Sequence, residues 1–392
     1  MQPNANLSAA LKAGTDALKN RDFSAAAASF TQAVAANPED LNAWLALGRA
    51  KAGLGDSEGA VAAFDRVLAR QPNNLTALLS KADGLANLGK SRAAVGHYGA
   101  ALRVAASLPG GGRELAADLA RAQAVYDRLA SQYEEHLRAG LEQAGYLPGR
   151  APSRFDEALD ILLGRKQPHF SRPKIFYYPG LANVPFFPRE QFPWLDAVEA
   201  ATADIRTELL AVLGDDKAFT PYVEVDPNRP RPNDGGMTNN PNWGAFYLKK
   251  NGRDLADNIA RCPKTFGALA GVPMPDVSQR CPSALFSLLR PKTRIPPHNG
   301  LINTRLICHL PLIVPEDCAF RVGNETRTWV EGKAWVFDDT INHEAWNESG
   351  KLRVILIFET WRPELSQEER ALVTAMFRAI DAFTGETPAW EI

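Results

Sequence analysis

The chain has 392 residues and a formal net charge of −1, from 44 basic and 45 acidic side chains, so it lacks the global field that draws proteins to nucleic acid or anionic membranes. Hydrophobic residues at 45% and charged residues at 23% describe a folded globular protein too long for one ordinary core. No stretch has the length of apolar residues needed to span a bilayer, and MQPNANLSAALKAG lacks the basic start and apolar run of a secretory leader, so the expected compartment is the cytoplasm.

The first hundred residues repeat at an interval of 34: Leu11, Leu45 and Leu79 are in phase, as are Ala26, Ala60 and Ala94, and Phe30, Phe64 and Tyr98. Gly14 and Gly48 share a phase with Ala82, and Asn37-Pro38 recurs as Gln71-Pro72. Small residues let helices approach, an aromatic is expected to fill the gap between adjacent units, and proline cannot continue a preceding helix. The pattern resembles the tetratricopeptide repeat, which implies a helical solenoid over residues 1–108. Such arrays bind peptides or proteins on a concave face, or pack and dimerise, and both roles stay open.

After Leu108-Pro-Gly-Gly-Gly112, apolar residues Leu115, Leu119, Ala122, Tyr126, Leu129 and Tyr133 recur at helical spacing within Glu114–Tyr146. This helix is expected to cap the array, and with a short one over Arg154–Leu163 it makes a cap and linker over residues 109–172. From Pro173 the texture changes to Pro, Phe, Tyr and Trp. A helix is expected over Trp194–Leu213 and a loop over Asp226–Asn242. Strands are expected at Gly244–Leu248, Ala284–Leu289, Thr304–Val314, Ala319–Val322, Arg327–Val330, Lys333–Phe337 and Arg353–Trp361, with hairpin turns at Gly323-Asn324 and Glu331-Gly332. Many short strands with tight turns indicate a sandwich or barrel. A helix over Gln367–Phe383 ends the pattern. The cysteines, Cys262, Cys281, Cys308 and Cys318, lack a disulfide framework or paired zinc spacing; they read as reduced thiols, a Cys262–Cys281 bridge being the exception to test.

His298 and His343 stand 45 residues apart in this strand-rich region, with Arg353 following. Imidazole suits divalent iron, and a guanidinium fork suits a carboxylate. The usual two-histidine, one-carboxylate triad asks for Asp or Glu two residues after the first histidine, and this chain has Gly300.

The segments HNGLINTRLICHLPL, RVGNETRTWVEGKAWVFDDTINHEAWN and LRVILIFETWRPEL resemble the aspartyl/asparaginyl β-hydroxylase family. That resemblance implies a double-stranded β-helix over residues 173–392, and an Fe(II)- and 2-oxoglutarate-dependent dioxygenase that hydroxylates a peptide or amino-acid-like substrate with O2. It implies His298 and His343 as iron ligands, Arg353 as the anchor of the 2-oxoglutarate carboxylate, and Ser287 and His309 as further cofactor contacts. It also makes Gly300 an expected feature, and gives Asp338 and Asp339 roles supporting the ligands rather than joining them. Arg305 matches a substrate-binding arginine, but a second arginine common in the family is Ile307 here, which puts an acidic substrate in doubt; Arg229, Arg231 and Lys249 are candidate replacements. His97, His136 and His169 read as ordinary histidines. Two other readings remain: an iron-dependent oxidative halogenase with halide in the open position at Gly300, and a catalytically silent scaffold served by its repeats.

Overall fold

A computed structural model describes residues 3–108, 115–147, 153–215, 217–224, 235–277 and 279–384. Two compact units divide the chain, residues 1–159 and 160–392, so the segment expected as a linker, 109–172, is shared between them.

The first unit is built from helix pairs α1 (Pro3–Lys19) and α2 (Phe23–Ala36), α3 (Leu41–Gly53) and α4 (Ser57–Arg70), and α5 (Leu75–Asn87) and α6 (Ser91–Ser107). Their starts obey the same period as their cores. Asp22 and Asp56 cap α2 and α4, and Asp40 and Asn74 cap α3 and α5, each accepting a backbone N–H from the first turn. Each such cap contributes about 1 kcal/mol. The in-phase aromatics Phe30, Phe64 and Tyr98 are all buried, and Phe30 shares a core with Ala43, Leu47 and Ala50 of the next hairpin. A Cβ on Gly14 would lie 2.9 Å from the Phe30 ring, and one on Gly48 only 2.5 Å from that of Phe64, so these two rings also fill the crossing within their own hairpins. Helix α7 (Ala116–Gln143) packs Leu119, Ala122, Tyr126 and Leu129 against α5 and α6, and Arg121 forks onto Asp83 at 2.7 and 2.9 Å. It caps the array, while Tyr133 farther along is exposed. Helix α8 (Ser153–Leu162) follows. The Gly110–Gly112 punctuation and Glu114 lie outside the described residues.

In the second unit a short 3-10 helix (Arg189–Gln191) precedes α9 (Leu195–Ala200) and α10 (Thr202–Leu213), two helices where one was expected. The break falls where the Thr202 hydroxyl bonds the Glu199 carbonyl at 2.6 Å. A seven-stranded antiparallel sheet then runs in the order β1 (Thr220–Pro221), β2 (Trp243–Lys250), β4 (Ala284–Leu289), β11 (Arg353–Trp361), β6 (Arg305–Ile313) and β9 (Trp335–Phe337), with β3 (Arg253–Asp254) paired to β2. A four-stranded sheet has the order β5 (Thr293–His298), β10 (His343–Asn347), β7 (Cys318–Val322) and β8 (Glu325–Thr328). Short helices α11 (Ala256–Arg261) and α12 (Pro263–Ala268) lie between β3 and β4, and α13 (Gln367–Thr384) follows β11.

Gly323-Asn324 turns the β7–β8 hairpin, with Gly323 at φ 59°. Glu331-Gly332 does not make a hairpin: β8 and β9 pair in different sheets, so the chain crosses from one to the other there. Strand β11 explains how the layers form. Side chains alternate across a strand, and Val354, Leu356 and Phe358 join Leu195, Ile205, Leu209 and other residues of the covering helices in one core. Ile355 and Ile357 face the other way and share a second core with Phe320, Val322 and Ala345 of the smaller sheet. The two sheets therefore face each other across an interior space in a double-stranded β-helix with flanking helices. All four cysteines are free thiols. Cys262 belongs to the helix-facing core and Cys281 to a separate cluster with Trp361 and Phe377, so no bridge joins them. No helix among the described residues is long and apolar enough to cross a membrane.

Candidate functional site

Strand β10 pairs antiparallel with β5 in a register that sets His343 opposite His298. Their rings lie 4.1 Å apart between centroids, and both line the interior cavity between the sheets. Each ring is oriented by the carbonyl two residues before it: His298 Nδ1 is 2.8 Å from the Pro296 carbonyl, and His343 Nδ1 is 3.0 Å from that of Ile341. A carbonyl can only accept, so both Nδ1 atoms carry hydrogen and both Nε2 lone pairs are left for a ligand. Burial, reinforced at His298 by the neighbouring His343, lowers His298 to about 3; burial likewise lowers His343 to about 4. Both imidazoles are neutral at physiological pH, the form that binds a divalent metal. Among the described residues no three His, Cys, Asp or Glu side chains converge as a metal cage. What the described residues could offer a metal here is the imidazole pair.

Gly300 has a steric explanation. A Cβ there would fall 2.1 Å from Asp339 Oδ2, so the carboxylate occupies the space a side chain at 300 would need. The Gly300 N–H also bonds the Asp339 carbonyl at 2.7 Å. Asp339 in turn accepts from Arg305 Nη1 at 2.9 Å, while Arg305 Nε lies 3.0 Å from Glu359 Oε1. Burial pulls the Arg305 pKa down, but the charges of Asp339 and Glu359 outweigh it and hold the group above its ordinary range. Burial raises Glu359, against the pull of Arg305. Asp338 is engaged elsewhere, with Arg362 at 2.8 Å and with Thr340.

Along the larger sheet the cavity changes character. At one end Arg353 is 1% exposed, its Nε has no hydrogen-bond partner among the described residues, and its Nη1 lies a long 3.4 Å from the Ser287 carbonyl. The Trp329 ring lies 5.1 Å from its guanidinium. Burial lowers this guanidinium to about 10. The other buried arginines each hold a carboxylate: Arg280 with Asp381, Arg305 with Asp339 and Glu359, Arg362 with Asp338 and Glu364. Among the described residues Arg353 has none. Ser287 and His309 line the same cavity. His309 packs against Phe320 and Phe337, its Nδ1 has no partner among the described residues, and burial, then the Arg353 charge, push it well below the usual histidine range.

Leu285, Ile355 and Ile357 form an apolar belt beyond Arg353, and at the opposite end stand Ile307, Glu359, Arg305 and Lys250. Ile307 is the cross-strand partner of Glu359. The sequence reading missed Glu359, although a carboxylate in the apolar run RVILIFETW was a usable signal. It also missed Lys250, which lines the cavity and bonds Glu224 at 2.8 Å. Lys249 points away from the cavity to Asp254 and the Phe266 ring. Arg229 and Arg231 lie outside the described residues. His97 bonds a carbonyl of its own helix, and neither it nor His136 or His169 lines the cavity.

Residues 199–363 match the family model described as aspartyl/asparaginyl beta-hydroxylase, and residues 11–74 match that of the tetratricopeptide repeat. Human aspartyl/asparaginyl beta-hydroxylase is 32% identical over 221 residues, covering 55% of this chain and 28% of that protein. Aspartate beta-hydroxylase domain-containing protein 2 of Xenopus tropicalis is 31% identical over 217 residues, covering 54% of this chain and 56% of the relative. Ornithine lipid ester-linked acyl 2-hydroxylase of Rhizobium tropici is 33% identical over 189 residues, covering 47% and 63%. The chain thus spans less than two thirds of each of these relatives, and the resemblance read from the motifs of both units holds.

Proposed function

We propose that the second unit is a hydroxylase that uses Fe(II), 2-oxoglutarate and O2, with His298 and His343 holding the metal and Arg353 receiving the distal carboxylate of the acid. The relatives named above are hydroxylases by name, which supports the coarser part of this reading. The observation that carries the finer part is Arg353. A buried guanidinium without a carboxylate is costly, and it is tolerated where a ligand supplies the charge. The two neutral imidazoles in the same cavity fit a divalent metal better than they fit acid–base work, since both are far from titrating at pH 7. Bound iron would supply the redox chemistry by which O2 and 2-oxoglutarate hydroxylate a C–H bond.

The chain's own residues do the rest. Arg353 offers a forked pair of donors, and Ser287 and His309 add contacts at the same end. The belt of Leu285, Ile355 and Ile357 excludes water around the metal-binding edge of the imidazoles. Asp339, fixed by Arg305, holds the Gly300 turn against the His298 strand. We propose that the substrate is a peptide, a protein or an amino-acid-like molecule whose reacting part carries no carboxylate, because Ile307 offers no charge and Arg305 is already engaged by two carboxylates. An acyl chain of the kind named for the Rhizobium relative fits the same apolar lining. The helical repeats are proposed to recruit a protein or peptide partner.

The test is release of succinate from 2-oxoglutarate by the full chain with Fe(II) under air. Activity above background that is abolished by His343→Ala and by Arg353→Met is the expected result. A protein that binds neither metal nor 2-oxoglutarate would refute the proposal and favour the scaffold reading.

A further inference from the structure

The geometry points to an anion-binding groove on the flank of α13, built around Arg370, that takes a small oxyanion such as phosphate or a short carboxylate. Asp276, Trp361, Arg370, Thr374 and Arg378 line the groove around a space of about 270 Å³, and none of them lines the interior cavity. Residues 370, 374 and 378 follow one another at four-residue steps. They therefore share one face of the helix, with Arg370 and Arg378 roughly 12 Å apart along its axis. Ala371 and Ala375 lie beside them and leave the space open. The facing wall is the segment that ends at Asp276. The Trp361 N–H donates to the Pro273 carbonyl at 2.9 Å, and the Thr374 hydroxyl donates to that of Asp276 at 3.0 Å. The walls are thus fastened by hydrogen bonds that use neither guanidinium.

The charge of Arg370 is what packing does not require. The side chain is half-buried, and its Nε is shielded from solvent with no hydrogen-bond partner among the described residues. Its guanidinium lies 6.0 Å from the centre of the Trp361 ring, and Nη2 donates to the Arg362 carbonyl at a long 3.3 Å. A neutral donor would serve that carbonyl as well. Burial pulls the Arg370 pKa below arginine's ordinary range, and no carboxylate among the described residues pairs with it to oppose the shift. The acids nearest in sequence are engaged elsewhere: Glu364 with Arg362, and Glu369 with the Tyr178 hydroxyl and the Ser366 N–H. The Asp276 carboxylate approaches Arg378 at 3.6 Å but is 83% exposed, and so open a pair contributes little. The groove therefore holds two guanidiniums against one carboxylate turned to solvent. A guanidinium presents its donors in a fixed plane that matches the oxygens of a phosphate or carboxylate, and a half-buried one is less screened by water and salt than one at the open surface.

The experiment titrates inorganic phosphate, and separately malonate, into the metal-free full chain at low ionic strength, with binding followed by the NMR line width of the probe. All proteins carry Arg353→Met, so that the unpaired arginine of the interior cavity takes no part. Saturable binding is expected in this background. Adding Arg370→Gln should weaken it roughly 10- to 100-fold, the worth of charge-assisted hydrogen bonds to a buried fork. Adding Arg378→Gln should weaken it less, roughly 3- to 10-fold, because that side chain is more exposed. Arg370→Lys keeps the charge without the fork and should fall between the background and Arg370→Gln. If Arg370→Gln does not fold, Arg370→Lys and Arg378→Gln carry the comparison. Tighter binding of phosphate than of malonate assigns the groove to phosphate groups, and the reverse order assigns it to carboxylates. Absence of saturable binding of either probe in the background, or an affinity unchanged by the substitutions on α13, would overturn the inference. Either result leaves the proposed function standing, since the cavity's arginine is absent from every protein compared.

Discussion

Replacing Arg353 by methionine should make the ligand-free protein more stable while removing its affinity for 2-oxoglutarate. At neutral pH an arginine lowered from its ordinary value near 12.5 to about 10 destabilises the native state by about 3 kcal/mol, because the charge is retained but poorly solvated. Methionine removes that charge at similar length. It also removes the contact with Trp329, whose loss returns about 1 kcal/mol, so the net gain is about 2 kcal/mol. For a unit of this size that corresponds to a rise in Tm of roughly 4–8 °C. The same substitution at Arg362 has the opposite sign. Arg362 is fully buried against Asp338, and stranding that carboxylate costs about 3–5 kcal/mol. The assay is thermal and urea unfolding of both variants without metal or 2-oxoglutarate, followed by calorimetric titration of 2-oxoglutarate into the metal-loaded forms. Arg353→Met should lose roughly 100-fold or more in affinity, the worth of two charge-assisted bonds. The reasoning is refuted if Arg353→Met destabilises the protein as Arg362→Met does, since Arg353 would then be a structural charge whose partner is its surroundings rather than a ligand.

Gly300→Ala should destabilise by about 3–5 kcal/mol in urea unfolding, because the added methyl displaces the Asp339 carboxylate from Arg305; a change within about 0.5 kcal/mol would contradict the steric account. The metal-free protein should lose stability on acidification. The folded values of His298 and His343 lie below the unfolded value near 6.5, so the unfolded chain binds protons first, and stability present above pH 6.5 is lost as the pH falls toward 4. Between pH 6.5 and 5 each histidine contributes roughly 2 kcal/mol of that loss, so His298→Ala should flatten the profile measurably; an identical pH dependence in the variant would exclude this cause. Ile307→Arg places a guanidinium beside Glu359 and restores the charge the family commonly has there. It should shift the ratio of kcat/KM for paired Asp- and Asn-containing peptides by roughly 10-fold or more toward Asp, and an unmoved ratio would place substrate selection elsewhere.

The helical unit was readable because its packing is local. A period of 34 sets the small residues, the aromatics and even the caps, and the helices pack within a hairpin or against the next one. The strands were readable where burial on both faces makes an apolar run, as in β4 and β11. The two strands that carry the histidines were not. The segment Thr293–His298 contains Pro296 and Pro297 and reads as loop, yet β5 is an edge strand of its sheet, where a residue without an N–H does no harm. His343–Asn347 is short and mixed in polarity, and its strand character comes from pairing on both sides with β5 and β7. Local pattern has no access to such pairing.

The same distinction governs the site. His298, His343 and Arg353 could be nominated from motif order, but what each is for depends on what is absent or present nearby in space. Arg305 and Arg353 look alike in the sequence, each an arginine opening an apolar strand. Asp339 and Glu359, 34 and 54 residues away along the chain, engage the first, and no carboxylate among the described residues reaches the second. That difference separates a guanidinium whose charge is balanced within the fold from one with no carboxylate partner, which is what the proposed acid-binding role requires. Gly300 changes meaning in the same way: an absent carboxylate in the sequence is, in the structure, the space that the Asp339 carboxylate fills. An acid at position 300 would have to displace that carboxylate and leave Arg305 with Glu359 alone, so the absent acid at 300 and the Asp339–Arg305 pair are two consequences of one packing choice.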